Sequence, residues 1–318
     1  AMKSDAIDLI GVTTVNGNRI VPKTTENALR VVQFMKASVP VYRGCEEPII
    51  CNEIPGRKPG LPRVTLNDCH GDFLPLPEAE IRTEKEHAVF YLVKTLMESE
   101  GDIYVAAVGP LTNLAMALRI EPKIAGKIKQ LVIMGGGHCG ANASPAAEFN
   151  FYADPEAAKI VMDSAILKVI LPLDATWRAC LSEEKCKELA QLGTPEAKVA
   201  AALVQKRIDN LKVNDVSEHN YALRHQAGTV AGAMLYRYDN HMAPIHDALA
   251  IAYLIDENVV TELADANVDI DIAGGLCDGR MVADFHNTKK SKAPVTAKVA
   301  LNSDAGLFTD MLFAALGK

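Results

Sequence analysis

Along this chain, short runs of β-branched and aliphatic residues alternate with longer stretches whose apolar positions recur every three or four residues. Such alternation predicts βαβ units on a mainly parallel sheet. Buried parallel strands read as continuous apolar runs, while their crossover helices keep one polar face. Residues 7–15 read as a strand, 24–38 as a helix and 39–44 as a short strand. The proline-rich stretch 46–83 has little periodicity and reads as a long loop, a feature common in functional segments. Beyond it come a helix over 84–101, a strand over 103–109, a helix over 110–122, a strand over 129–137, a helix over 154–165 and a strand over 167–174. Two polar helical stretches fill 181–240. The segment APIHDALAIAYLID (243–256) predicts a buried helix, and three strands over 267–274, 279–286 and 295–301 predict a small antiparallel addition before a closing helix over 306–317. Neither a repeat nor a linker interrupts this order, so one α/β domain over 1–318 is expected: an open, mainly parallel central sheet flanked by helices.

Composition narrows the partners. Of 318 residues, 49% are hydrophobic, 23% charged and 5% aromatic, which describes a globular protein with an aliphatic core. A net charge of −7 lacks the basic stripe that phosphate backbones require, so nucleic acid is excluded and a small molecule or a second copy is expected. Seven scattered cysteines, never spaced C-x-x-C, fit reduced thiols and a cytoplasmic location. No apolar run approaches the ~18 residues of a membrane span.

Candidate chemistry begins at His246 and Asp247, at the mouth of the buried helix. Asp247 could be a simple N-terminal cap, favoured by the helix dipole. Alternatively, the helix is a rigid mount for a catalytic acid and a metal ligand. MGGGHCG (134–140) matches G-x-G-x-x-G after a strand and raises an NAD-linked reading, but a dinucleotide fingerprint opens directly into a helix. Here ANASPAAEFNFYADP intervenes, and the glycines read better as a tight turn at a strand's carboxyl end, where open α/β sheets place ligands. Within that intervening loop, Asn142, Glu148 and Asn150 offer two carboxamides and a carboxylate, a set able to grip neighbouring sugar hydroxyls.

VTTVNGN (12–18), GPLTNLAMAL (109–118), MGGG (134–137), GANASPAAEFN (140–150), DPEAA (154–158), PLDAT (172–176), HDALAIAY (246–253) and GRMVADF (279–285) follow one another in the order of a known family. In these landmarks the chain resembles the inosine-uridine preferring nucleoside hydrolases over essentially its whole length. The resemblance implies a Rossmann-like nucleoside hydrolase fold and calcium-dependent hydrolysis of the N-glycosidic bond of ribonucleosides. It also implies a homodimer or homotetramer. Position by position, Asp247 is similar to the family's calcium- and ribose-binding carboxylate, and His246 to the residue that protonates the leaving base. Asn142 and Glu148 match the pair near the 5′-hydroxyl, Asn150 the residue near the vicinal hydroxyls, and Asn18 the asparagine of the first loop. The carbonyl of Val108 takes the place of a further calcium ligand. His70 resembles a loop histidine near the base.

These residue types suit the reaction. Cleavage passes through an oxocarbenium-like ribosyl, so the protein must stabilise positive charge, activate a water and help the base leave. Calcium takes six to eight oxygens and lowers the pKa of a bound water, while an imidazole acting as general acid contributes ~10² to 10⁴ in rate. One departure stands out. The family's N-terminal D-x-D-x-x-x-D-D strand, which supplies further calcium ligands and the water-activating carboxylate, has no counterpart here. AMKSDAIDLIG aligns just after it, and Asp5 and Asp8 do not replace it. Without that strand, calcium is expected to keep too few ligands, the sheet to lose a central member and activity to be weak. A catalytically silent nucleoside-binding homologue is therefore the alternative reading.

Overall fold

The computed structural model of the chain describes residues 1–50, 71–213, 241–286 and 295–318. Its main sheet has six strands: β3 (Ile103–Ala107), β4 (Ile128–Met134), β5 (Lys168–Leu171), β8 (Val260–Ile270), β9 (Met281–Asp284) and β10 (Ala297–Ser303), in the order β3-β4-β5-β10-β8-β9. Pairing is parallel from β3 through β5 to β10 and antiparallel from β10 to β8 and on to β9. The 295–301 run thus departs from expectation: it is a parallel member inserted beside β5, and only β8 and β9 form the antiparallel addition. Sheet order depends on which apolar faces meet, and local periodicity carries no record of that.

Both faces of the sheet are covered, and the strands show why. Leu131, Ile133, Ile170 and Val299 point into one aliphatic cluster; their neighbours Val132, Met134, Val169, Leu171 and Ala300 point into another. The first cluster is closed by α2 (Ala88–Glu98), α3 (Thr112–Ile120) and α5 (Pro155–Met162), the second by α6 (Leu173–Thr176), α9 (His246–Ile255) and α10 (Ala305–Leu316). Period-two alternation between two apolar environments is what a sheet buried on both sides demands. Helix starts follow local chemistry. The His87 side chain accepts from the Val89 N–H at the head of α2, Asp154 caps α5 and Asp304 caps α10. A satellite bundle packs α7 (Glu183–Gln191) and α8 (Pro195–Val213) beneath a small sheet of β6 (Cys180–Ser182) and β7 (Met242–Pro244). Several elements were not foreseen: α4 (Phe149–Ala153), a single turn inside the stretch read as loop, α6, which begins inside the expected strand over 167–174, and the short strands β6 and β7 at the borders of regions read as helical.

The remaining strands, β1 (Val12–Thr14) and β2 (Val41–Arg43), form a separate parallel pair joined by α1 (Val21–Phe34). The expected strand over 7–15 is therefore shorter than its apolar run. Among the described residues, no strand pairs with the second edge of β1 or of β3. Between these two edges lies a concavity of about 270 Å³, bounded by Thr13 to Asn18 on one side and by Val105 to Leu111 on the other. Among the described residues no helix is long and apolar enough to cross a membrane.

Candidate active site

At the carboxyl ends of β4 and β5, two loops are tied to each other. The Asp174 carboxylate on α6 accepts the backbone N–H groups of His138 (2.7 Å) and Cys139 (2.9 Å), and Leu173 donates its N–H to the Gly136 carbonyl (3.0 Å). The glycines serve this turn. Gly136 has φ +74°, and a side chain on Gly137 would meet the Gly140 carbonyl oxygen at 1.8 Å. They shape a close approach of backbone to backbone rather than a phosphate cradle, and the nearby Trp177 lies buried in the core.

Glu148 is built into the same rim. Its Oε2 accepts from the N–H groups of Gly136 (2.9 Å), Asn150 (2.9 Å) and Phe151 (3.3 Å), which caps α4 and ties it to the strand end. Oε1 takes part in none of these bonds. Burial pushes the carboxyl up from 4.5 to about 7; the three backbone donors oppose that shift, and the nearby Asp247 charge adds to it. Asn150, also buried, donates to the Met134 carbonyl (3.0 Å), and the exposed Asn142 accepts from the Phe149 N–H (2.8 Å).

Asp247 stands in the first turn of α9 but is not its cap. The capping position is Ile245, with no side-chain hydrogen bond. The residue is exposed to water although protein crowds its carboxyl. Burial raises it from 3.8 to about 6, against an opposing pull from Arg207. Its neighbour His246 is half-buried, and its Nδ1 lies 2.8 Å from the Thr176 hydroxyl on α6.

The structure thus brings Asn142, Glu148, Asn150, His246 and Asp247 into one neighbourhood at the carboxyl edge of the sheet. Asn150 also lines the concavity between β1 and β3, together with Asn18 and Val108. His70 lies outside the described residues. Asn16 escaped the sequence reading altogether. It is fully buried beside the same concavity, donates to the Cys45 carbonyl (3.3 Å) and the Thr112 hydroxyl (3.4 Å), and leaves its own Oδ1 without a partner. Thr176 was missed as well, because 70 residues separate it from its histidine.

As a calcium site, the donor set is short. Asp247 and the Val108 carbonyl are two oxygens where a hard cation takes six to eight. Among the described residues no cluster of three or more His, Cys, Asp or Glu side chains could complete it. These residues alone do not fit the ion, and no catalytic step is assigned to it.

A concavity at the carboxyl edge of an α/β sheet, lined in part by the amides of Asn16, Asn18 and Asn150, with the raised carboxyls of Glu148 and Asp247 and the His246 imidazole on neighbouring elements, suits a small polyhydroxylated substrate. Comparison with known proteins supplies the class. The family described as inosine-uridine preferring nucleoside hydrolase matches residues 1–310. The pyrimidine-specific ribonucleoside hydrolase RihB of Escherichia coli O157:H7 is 33% identical over 311 residues, covering 96% of this chain and 88% of the relative. Its counterpart from Shigella flexneri is 33% identical over 315 residues, covering 97% and 88%. Among solved structures, a plant nucleoside hydrolase, PpNRh1, has a TM-score of 0.82 at 24% identity, covering 99% of this chain and 92% of that one. A purine-preferring ribonucleoside hydrolase from Gardnerella vaginalis has a TM-score of 0.81 at 23% identity, with the same coverage. The chain belongs to the inosine-uridine preferring nucleoside hydrolase family. It is accordingly a hydrolase of ribonucleosides, on the nucleoside hydrolase fold.

Proposed function

We propose that the rim built by α4, α6 and α9 holds the ribose of a ribonucleoside and that His246 delivers the proton to its departing base. What carries this reading is the juxtaposition of Glu148 and Asp247, two carboxyls from segments about a hundred residues apart whose charges act on each other at the carboxyl edge of one sheet. Asn142, Asn150 and Asn18 add amides around them, each able to donate to one hydroxyl and accept from another. With Oε2 fixed by three backbone donors, Glu148 offers Oε1 to the sugar, as acceptor when ionised and as donor when protonated. His246 stands one residue from Asp247, so a ribose gripped by the carboxylate brings its base within reach of the imidazole. Calcium belongs to the proposal as the family's metal, with Asp247 and the Val108 carbonyl as its ligands from this chain and the remaining oxygens still to be supplied. A homodimer or homotetramer and a cytoplasmic location complete the reading; the free thiols of Cys45, Cys139, Cys180, Cys186 and Cys277 suit the latter.

The test is release of reducing sugar from inosine and uridine, with and without added calcium, by the protein and by its His246→Ala variant. Sugar release from either nucleoside, with kcat lowered ~10²-fold or more in the variant, is the expected result. Binding of either nucleoside with no sugar released at any calcium concentration would overturn the proposal in favour of a silent nucleoside-binding homologue.

A further inference from the structure

We propose that Thr176 is a positioning residue that fixes which nitrogen of His246 carries the proton. The inference rests on the reading of His246 as leaving-group acid. The Thr176 side chain is fully buried on α6, and among the described residues its hydroxyl makes one hydrogen bond, 2.8 Å to His246 Nδ1. A hydroxyl has one proton, and burying an O–H with no acceptor is costly. Donation from Oγ1 to Nδ1 satisfies the hydroxyl and makes Nδ1 an acceptor. A neutral imidazole that accepts at Nδ1 carries its hydrogen at Nε2. Nε2 is then the proton-bearing nitrogen, the atom from which a departing base would take its proton, and the threonine acts on the reaction through the histidine.

The mount is stiff. The Thr176 N–H bonds the Pro172 carbonyl at 3.0 Å and the Ser303 hydroxyl bonds the Ala175 carbonyl at 2.9 Å. Two residues before Thr176, Asp174 holds the 138–139 backbone, so α6 is anchored to β10 and to the glycine loop at once. A β-branched side chain has few χ1 choices, so Oγ1 reaches the imidazole along a set direction. His246 arrives on a different helix, α9, and this contact joins the two elements across the rim.

Thr176→Val removes the hydroxyl with little change of shape, and Thr176→Ser restores it. In the protein labelled with ¹⁵N at histidine, with His246 assigned by the loss of its signals in His246→Gln, the neutral ring is expected as the Nε2–H tautomer. Thr176→Val moves it to a mixture and Thr176→Ser returns it. In turnover, Thr176→Val is expected to lower kcat on inosine or uridine about tenfold or more. KM should stay within about threefold, the mark of a group acting on the chemical step. On 4-nitrophenyl β-ribofuranoside, whose phenolate leaves without a proton, the same variant turns over like the parent. A wild-type Nδ1–H tautomer overturns the inference, as does an equal loss on both substrate types. Failure of the wild-type chain to cleave any nucleoside would instead sink the assignment of His246 as acid, while the tautomer measurement would still decide what Thr176 does.

Discussion

The rim at β4 and β5 and the cleft between β1 and β3 are built to different standards. On the side of β4 and β5, nearly every polar group is spoken for. Glu148 takes three N–H donors, Asp174 takes two, Asn150 holds a strand carbonyl and Thr176 holds the histidine. On the side of β1 and β3, among the described residues, two strand edges face each other without a ladder between them and Asn16 keeps a buried Oδ1 with no partner. A buried acceptor left unmade costs free energy, and open edges invite another strand. Half of the site is preorganised by hydrogen bonds; among the described residues the other half keeps unpaired strand edges.

The largest effect is therefore expected from closing that cleft. A version of the chain extended at its amino end by a strand bearing D-x-D-x-x-x-D-D should bind calcium in a calorimeter, melt at a higher temperature and hydrolyse nucleosides at least ~10² times faster than residues 1–318, the scale of one added general base. Equal calcium binding and equal turnover in the two versions would break the comparison, because the cleft would then contribute nothing to the site.

The second effect tests the preorganised half. In Glu148→Ala three buried backbone donors lose their acceptor together, and α4 loses its cap. At about 1 to 3 kcal/mol for each stranded group, with water entering to soften the loss, the variant should unfold about 4 kcal/mol more easily in urea at pH 5. A loss below about 1 kcal/mol would mean that the rim tolerates vacancy as the cleft does.

Much of this architecture was legible from the sequence, and the parts that were not share a physical cause. Strand and helix order followed from periodicity because β4 and β5 are buried on both faces and read as unbroken apolar runs. The set Asn142, Glu148 and Asn150 was legible because polar side chains of that kind, clustered between a strand end and a helix, are a local pattern. What Glu148 does with each oxygen was not, since the Gly136 donor comes from a turn twelve residues away. The place of β10 beside β5 and the bond from Thr176 to His246 are contacts between distant segments. At Asp247 the sequence left a cap and a functional carboxylate both open, and the structure removes the first, because the capping place belongs to Ile245.

The smallest effect sharpens the same comparison through pH. The Glu148 carboxyl titrates near 7 in the folded chain against an ordinary 4.5, because burial disfavours its charged form. As pH rises, the unfolded chain therefore gives up this proton first and the folded chain keeps it longer, so the folded state binds more protons across that interval. Stability contributed by Glu148 is full below pH 4.5 and is lost as pH climbs to about 7. The interval corresponds to about 3 kcal/mol at its full extent. Asp247, raised to about 6, adds a loss of the same sign over a lower range, discounted because water reaches it. Lowered carboxyls such as Glu26, held down by its hydrogen bond with Arg30, act in the opposite sense, so the whole-protein curve mixes both signs. Glu148→Gln separates them: an amide can still accept at the Oε2 position but does not titrate. The difference in unfolding free energy between parent and variant, followed by urea denaturation from pH 4 to pH 8, should slope by up to about 3 kcal/mol, with the parent losing ground as pH rises. A flat difference would place the Glu148 carboxylate in contact with water, and the rim would then be as open as the cleft opposite it.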